Sequence, residues 1–232
     1  MGNFFKTVIC VLTALIVLAG AAFWGLAGLL PAVDIEDSLR PDAASQYFDD
    51  KGELIYTTAS EERRIPVSLD KMPKHLQEAF ISIEDARFYE HGGIDIRGTA
   101  RALVVTLTGD VQGGSTITQQ LAKNAFLTNE RTITRKIKEA FIARQLEERY
   151  TKDEILNMYL NRIYFGQGTY GVECASLYYF GKHVEDIDLA EAATLAAIPK
   201  SPNYYNPLEN PKASKERQEL VLDQMVKYGY IT

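Results

Sequence analysis

Three stretches of the chain combine residue types able to do chemistry with spacings that can bring them together. The first runs from Ile81 to Asp95 and contains Glu84, Asp85, Phe88 and His91. Leu76, Phe80, Ile83 and Arg87 fall at i, i+4, i+7 and i+11, which predicts one face of an amphipathic helix. Glu84 stands at the edge of that stripe. Partial desolvation there raises the proton affinity of a carboxylate, as a general base near neutral pH requires. Gly92 and Gly93 are expected to close the helix, because glycine accepts the left-handed cap. A solvated acidic pair on a surface helix has the same local pattern, so the reading of this stretch depends on its company.

The second stretch is Gly113 to Asn124. Ser115 and Thr116 follow two glycines and suit a helix N-cap. The same helix start offers free N–H groups and partial positive charge to an anion. Ser115, Thr116 and Thr118 add hydroxyls, and Gln119 and Lys123 share a helical face. A glutamine amide suits sugar hydroxyls and a lysine suits phosphate. The GxxxxGK[ST] order is absent, which excludes a P-loop.

The third stretch is Arg135, Lys136 and Glu139, inside a helix expected over Arg131–Tyr150. Ile133, Ile137, Ala140, Phe141 and Arg144 form its main stripe, and the three charged residues lie on another face. Two cations beside one carboxylate make either an intrahelical ion pair or a phosphate clamp with a carboxylate inside it. Either way the cations hold Glu139 ionised. Two carboxylates in opposed environments, Glu84 and Glu139, suit two different catalytic roles.

The rest of the chain must position these groups. Its 232 residues leave room for one membrane segment and one domain of about 180–200 residues. The 46% apolar and 24% charged fractions are those of a globular protein. A net charge of −6 argues against nucleic-acid binding. Cys10 and Cys174 form no disulfide framework. Residues 1–6 read as a cytoplasmic tail and 7–33, which carry no charge, as a transmembrane signal-anchor helix. Lys6 before it and Asp34, Glu36 and Asp37 after it place the remainder outside the cytoplasm. A cleaved signal peptide ending near Ala19–Ala22 is the weaker alternative, because the apolar run is too long.

Residues 34–72 read as a linker with short strands. Gln46–Phe48 and Leu54–Tyr56 flank a turn at Asp49–Gly52, and Arg63–Leu69 is expected to add an edge strand. Residues 73–232 read as a helical domain. Helices are expected over Ile94–Leu107, from the capping box Thr151–Glu154, over Gly171–Phe180, from Asp188, and over Pro211–Tyr228. The glycine-rich loop at 109–114 is a candidate mobile flap.

At the level of motifs, Glu84-Asp85-Ala86-Arg87-Phe88-Tyr89-Glu90-His91 resembles the EDxxFxxH motif of the peptidoglycan glycosyltransferases, glycosyltransferase family 51. Gly114–Gln120 is similar to their GxSTxTQQ motif and Arg135–Glu139 to RKxxE. Tyr159–Gly166 and Leu195–Pro202 resemble the remaining two, all in the family's order. The resemblance implies a mainly α, lysozyme-like glycosyltransferase domain, with a short N-terminal β-hairpin and one transmembrane helix before it.

It further implies that lipid II is polymerised into glycan strands with release of undecaprenyl pyrophosphate. Glu84 would be the general base. Glu139 would assist at the donor pyrophosphate, directly or through a divalent cation (Mg2+ or Mn2+) that it would ligate. Ser115, Thr116, Gln119, Lys123, Arg131, Arg135 and Lys136 would bind sugar and diphosphate, while Asp85, Phe88 and His91 would shape the first site. The implied partners are lipid II, the lipid-linked glycan chain, the membrane and other cell-wall synthesis proteins. The implied location is the bacterial inner (cytoplasmic) membrane, single-pass, with the domain on its extracytoplasmic side. Ser68–Lys71 spells SxxK, but no SDN or KTG accompanies it, so a monofunctional enzyme or a piece of a class A penicillin-binding protein is expected. A muramidase on the same fold and a non-catalytic lipid II-binding scaffold are the rival readings.

Overall fold

The computed structural model describes Gly25 and residues 46–48, 54–57, 64–107, 113–127 and 132–232. Most of these residues are helical. Strand β1 (Gln46–Phe48) pairs antiparallel with β2 (Leu54–Thr57), setting Gln46 opposite Thr57 and Tyr47 opposite Tyr56. The turn between them, the expected membrane anchor at 7–33 apart from Gly25, and most of the loop at 109–114 lie outside the described residues. Among the described residues no helix is long and apolar enough to cross a membrane.

The helices are α1 (Lys74–Glu84), α2 (Ile96–Leu107), α3 (Ile117–Phe126), α4 (Ile133–Arg149), α5 (Lys152–Leu160), α6 (Val172–Phe180), α7 (Leu189–Ala197) and α8 (Pro211–Lys227). Side-chain caps fix most starts. Thr116, Thr151 and Asp188 each form a reciprocal capping box with the residue three positions on, and Asn210 caps the proline-led α8. Gly181 closes α6 in the left-handed conformation.

The core lies where α1, α7 and α8 pack together and where α3 packs on α4 and α5. α7 is apolar nearly all round, and Ala192 to Ala197 are all buried, as a central helix requires. Phe80 of α1 meets Tyr159 and Phe165 edge-on, with ring centroids 6.2 Å apart in both pairs.

Two local expectations are corrected. The first helix stops at Glu84, not at Gly92–Gly93, and Arg87 therefore leaves its stripe. Asp85 turns extended and its carboxylate accepts the Ile117 N–H, so a tertiary bond ends the helix before any glycine. Arg87 instead pairs with Asp95. The expected strand around Arg63–Leu69 is not formed among its described residues. The Asn161 side chain takes a neighbouring strand's place. It accepts from Val67 N at 2.8 Å and donates to Val67 O at 2.8 Å. Pro66, lacking an N–H, could not have continued a ladder.

Candidate active site

The three chemical stretches meet at one groove of about 860 Å³. Its walls come from the end of α1, the loop before α3, the outer faces of α3 and α4, the turn after α7, and α8. Glu84 and Glu139 both line it.

Glu84 is the last residue of α1 and is partly buried. Its Oε2 accepts a hydrogen bond from Gln120 Nε2 at 2.7 Å. Burial pushes its carboxyl above the ordinary value of 4.5, and the charge of Asp85 adds to the rise. The Gln120 bond and the charges of Arg217 and Lys200 oppose it, less strongly. A carboxylate whose bonded partner is neutral, and whose proton affinity is raised, is equipped to take a proton.

Glu139 has the opposite environment. It is 2% exposed, and Arg135 Nη1 donates to its Oε2 at 2.6 Å while Lys136 Nζ pairs with its Oε1. Lys136 also donates to Ser115 Oγ at 2.8 Å, which ties α4 to the loop before α3. Ser115, Lys123, Arg135 and Lys136 thus present hydroxyl and cationic groups along one side of the groove.

Other expected site residues are placed differently. Gln119 is buried, and its side-chain Oε1 accepts the Thr116 N–H at 3.0 Å. Thr116 lines the groove, but its hydroxyl donates to Gly93 O at 2.6 Å and accepts from Gln119 N. With Ile117 N given to Asp85, the N–H groups of Thr116, Ile117 and Gln119 at the start of α3 are all taken by the protein itself. The T-x-x-Q capping pattern in Thr116–Gln119 was the signal for this. Gln120 faces the groove in place of Gln119. Asp85 is buried on the groove wall, with His91 Nε2 2.9 Å from its carboxylate. Phe88 is fully buried and belongs to the core. Arg131 lies outside the described residues. Gln120, Lys200 and Arg217 are groove residues that sequence reasoning missed. Lys200 lies in the Leu195–Pro202 motif, whereas Arg217 carries no local signal, since only the packing of α8 on α1 and α7 brings it near Glu84.

The donor set does not suit a divalent cation held by the protein alone. Hard cations take six or more oxygen ligands. Among the described residues no three potential ligands cluster, and both Glu139 oxygens are taken by cations.

Residues 51–226 match the family described as Transglycosylase. Penicillin-binding protein 1F of Bacillus subtilis is 46% identical over 99% of this chain and 32% of its own length. The penicillin-binding proteins 1A of Aquifex aeolicus and Escherichia coli are 50% and 48% identical over 88% of this chain. The chain spans 28% and 24% of their respective lengths. A crystal structure of penicillin-binding protein 1A from Haemophilus influenzae aligns with 83% of this chain and 19% of its own at 26% identity, with a TM-score of 0.44. With the family match running over most of its length and nearly half of its residues shared with these relatives, this chain belongs to the transglycosylase family, the peptidoglycan glycosyltransferases.

Proposed function

We propose that the groove joins lipid II units into glycan strands by a single displacement with inversion at the donor's anomeric carbon. Glu84 takes the proton of the acceptor's sugar hydroxyl as that oxygen bonds the anomeric carbon. The bond from that carbon to the diphosphate breaks, and undecaprenyl pyrophosphate leaves with the electron pair. Arg135, Lys136 and Lys123 receive the diphosphate charge, and Ser115 adds a hydroxyl. Glu139 holds Arg135 and Lys136 in place, because it is buried between them. No step is routed through a divalent cation, since the described residues do not by themselves form a site for one. An N-terminal anchor at 7–33, holding the groove outside the cytoplasmic membrane, is part of the same proposal.

One observation carries the reading: a carboxylate with a raised proton affinity and a cluster of cations around a second carboxylate line the same groove. A hydrolase of finished glycan needs the first feature but has no phosphate for the second. The test is incubation of the purified protein with lipid II as sole substrate. Glycan strands resolved by electrophoresis are the expected product. Release of soluble muropeptides from finished peptidoglycan, with no strands from lipid II, would instead establish the muramidase.

A further inference from the structure

A hydrogen-bonded chain beside Glu84, buried at its Tyr159 end, has no part in that reaction. Tyr159 on α5 is fully buried and packs edge-on against Phe80. Its hydroxyl lies 3.3 Å from Gln120 Oε1, and Gln120 Nε2 lies 2.7 Å from Glu84 Oε2. A tyrosine hydroxyl has one proton to give. Given to the carbonyl end of the Gln120 amide, it turns the NH2 end toward Glu84. The reversed amide would set its oxygen against a carboxylate oxygen. We propose that Tyr159 is a positioning residue for glycosyl transfer, acting through Gln120 to hold Glu84 Oε2 and leave Oε1 to receive the acceptor's proton.

The groups around Glu84 make this orientation matter. Asp85 adjoins it in the chain, Lys200 reaches it from the turn after α7, and Arg217 from α8. Gln120 is its hydrogen-bond donor from α3. Burial and the charges of Glu84 and Asp85 keep the Tyr159 hydroxyl protonated well above the ordinary tyrosine value, so it remains a donor throughout the working pH range. Donation from Tyr159 also polarises the amide and strengthens its bond to the carboxylate. Tyr159 lies in the stretch Tyr159–Gly166, to which the reaction above gives no task. Its ring fills the core, and its hydroxyl reaches the base.

The inference rests on Glu84 being the base, and the experiment lets either idea fail alone. Tyr159→Phe and Gln120→Met are made in the full chain. The Glu84 carboxyl is titrated by 13C NMR, identified by its loss in Glu84→Gln, and the pH profile of kcat/KM is measured with lipid II. Each variant weakens a bond to the ionised form, so both the titration and the acid limb should move to higher pH. The expected change in proton affinity is about two- to fivefold for Tyr159→Phe and about tenfold for Gln120→Met. KM should change little in Tyr159→Phe, and kcat should stay below the wild-type value even at high pH, where Glu84 is ionised but no longer held in place.

A Glu84 titration that moves without the rate profile supports the positioning chain and sinks the base assignment. A titration that stays fixed in Tyr159→Phe, whatever happens to thermal stability, overturns the positioning role. If Tyr159→Phe does not fold, a fixed titration in Gln120→Met, at a partly exposed position, overturns it equally.

Discussion

Replacing Glu84 with glutamine should move activity and stability in opposite directions. The amide keeps the side chain's size and still accepts the Gln120 hydrogen bond, but it cannot take a proton. Loss of a general base costs about 10²- to 10⁴-fold in kcat. At about 1.36 kcal/mol per decade that is roughly 2.7–5.5 kcal/mol of transition-state stabilisation. Stability follows from the raised proton affinity. The folded protein binds this proton more tightly than the unfolded chain, so ionising Glu84 costs folding free energy. That cost is absent below the unfolded value near 4.5 and grows as pH rises through the folded value. At neutral pH the variant should therefore be more stable than the wild type, and the gain should vanish at acid pH. The melting temperature at neutral pH should rise accordingly. Calorimetry at neutral and acid pH, beside strand synthesis from lipid II, measures both. A variant that polymerises at the wild-type rate, or whose stability difference is the same at every pH, refutes the reasoning.

Arg135→Ala and Lys136→Ala should each weaken use of the donor, read as a raised KM for lipid II, because a charge-assisted contact to phosphate is lost. Arg135→Ala should also cost about 1–3 kcal/mol in urea denaturation, since it strips one partner from the buried Glu139, and Lys136→Ala should cost less because Lys136 is the more exposed. Gly171→Ala should be far more damaging than Gly181→Ala. Both glycines have positive φ, worth about 1 kcal/mol to a side chain, but a Cβ at Gly171 would stand 2.8 Å from Asn161 O while Gly181 meets nothing within 4 Å. Denaturation midpoints of the two variants separate conformation from contact. His183→Gln should lower thermal stability chiefly at acid pH. The Glu173 hydrogen bond raises the imidazole's proton affinity, so its contribution is complete below 6.5 and fades as pH rises through the folded value. An equal loss at all pH values would count against that pair.

The sequence alone determined most of what is local. Thr151, Asp188 and Asn210 announced helix starts because a cap is a bond between near neighbours, and tertiary packing had no reason to override it. The opposed characters of Glu84 and Glu139 were legible too. One stood at the edge of an apolar stripe, and the other had cations three and four residues before it on its own helix. Tertiary structure decided what depends on distant partners. It ended α1 at Asp85 by giving that carboxylate to Ile117, 32 residues away. It turned Gln120 to Glu84, sent Phe88 into the core, and brought Lys200 and Arg217 to the groove from beyond α7. Periodicity shows which face of a helix is apolar, but which residues meet across a groove is set by how helices cross, and that information is spread over the whole chain.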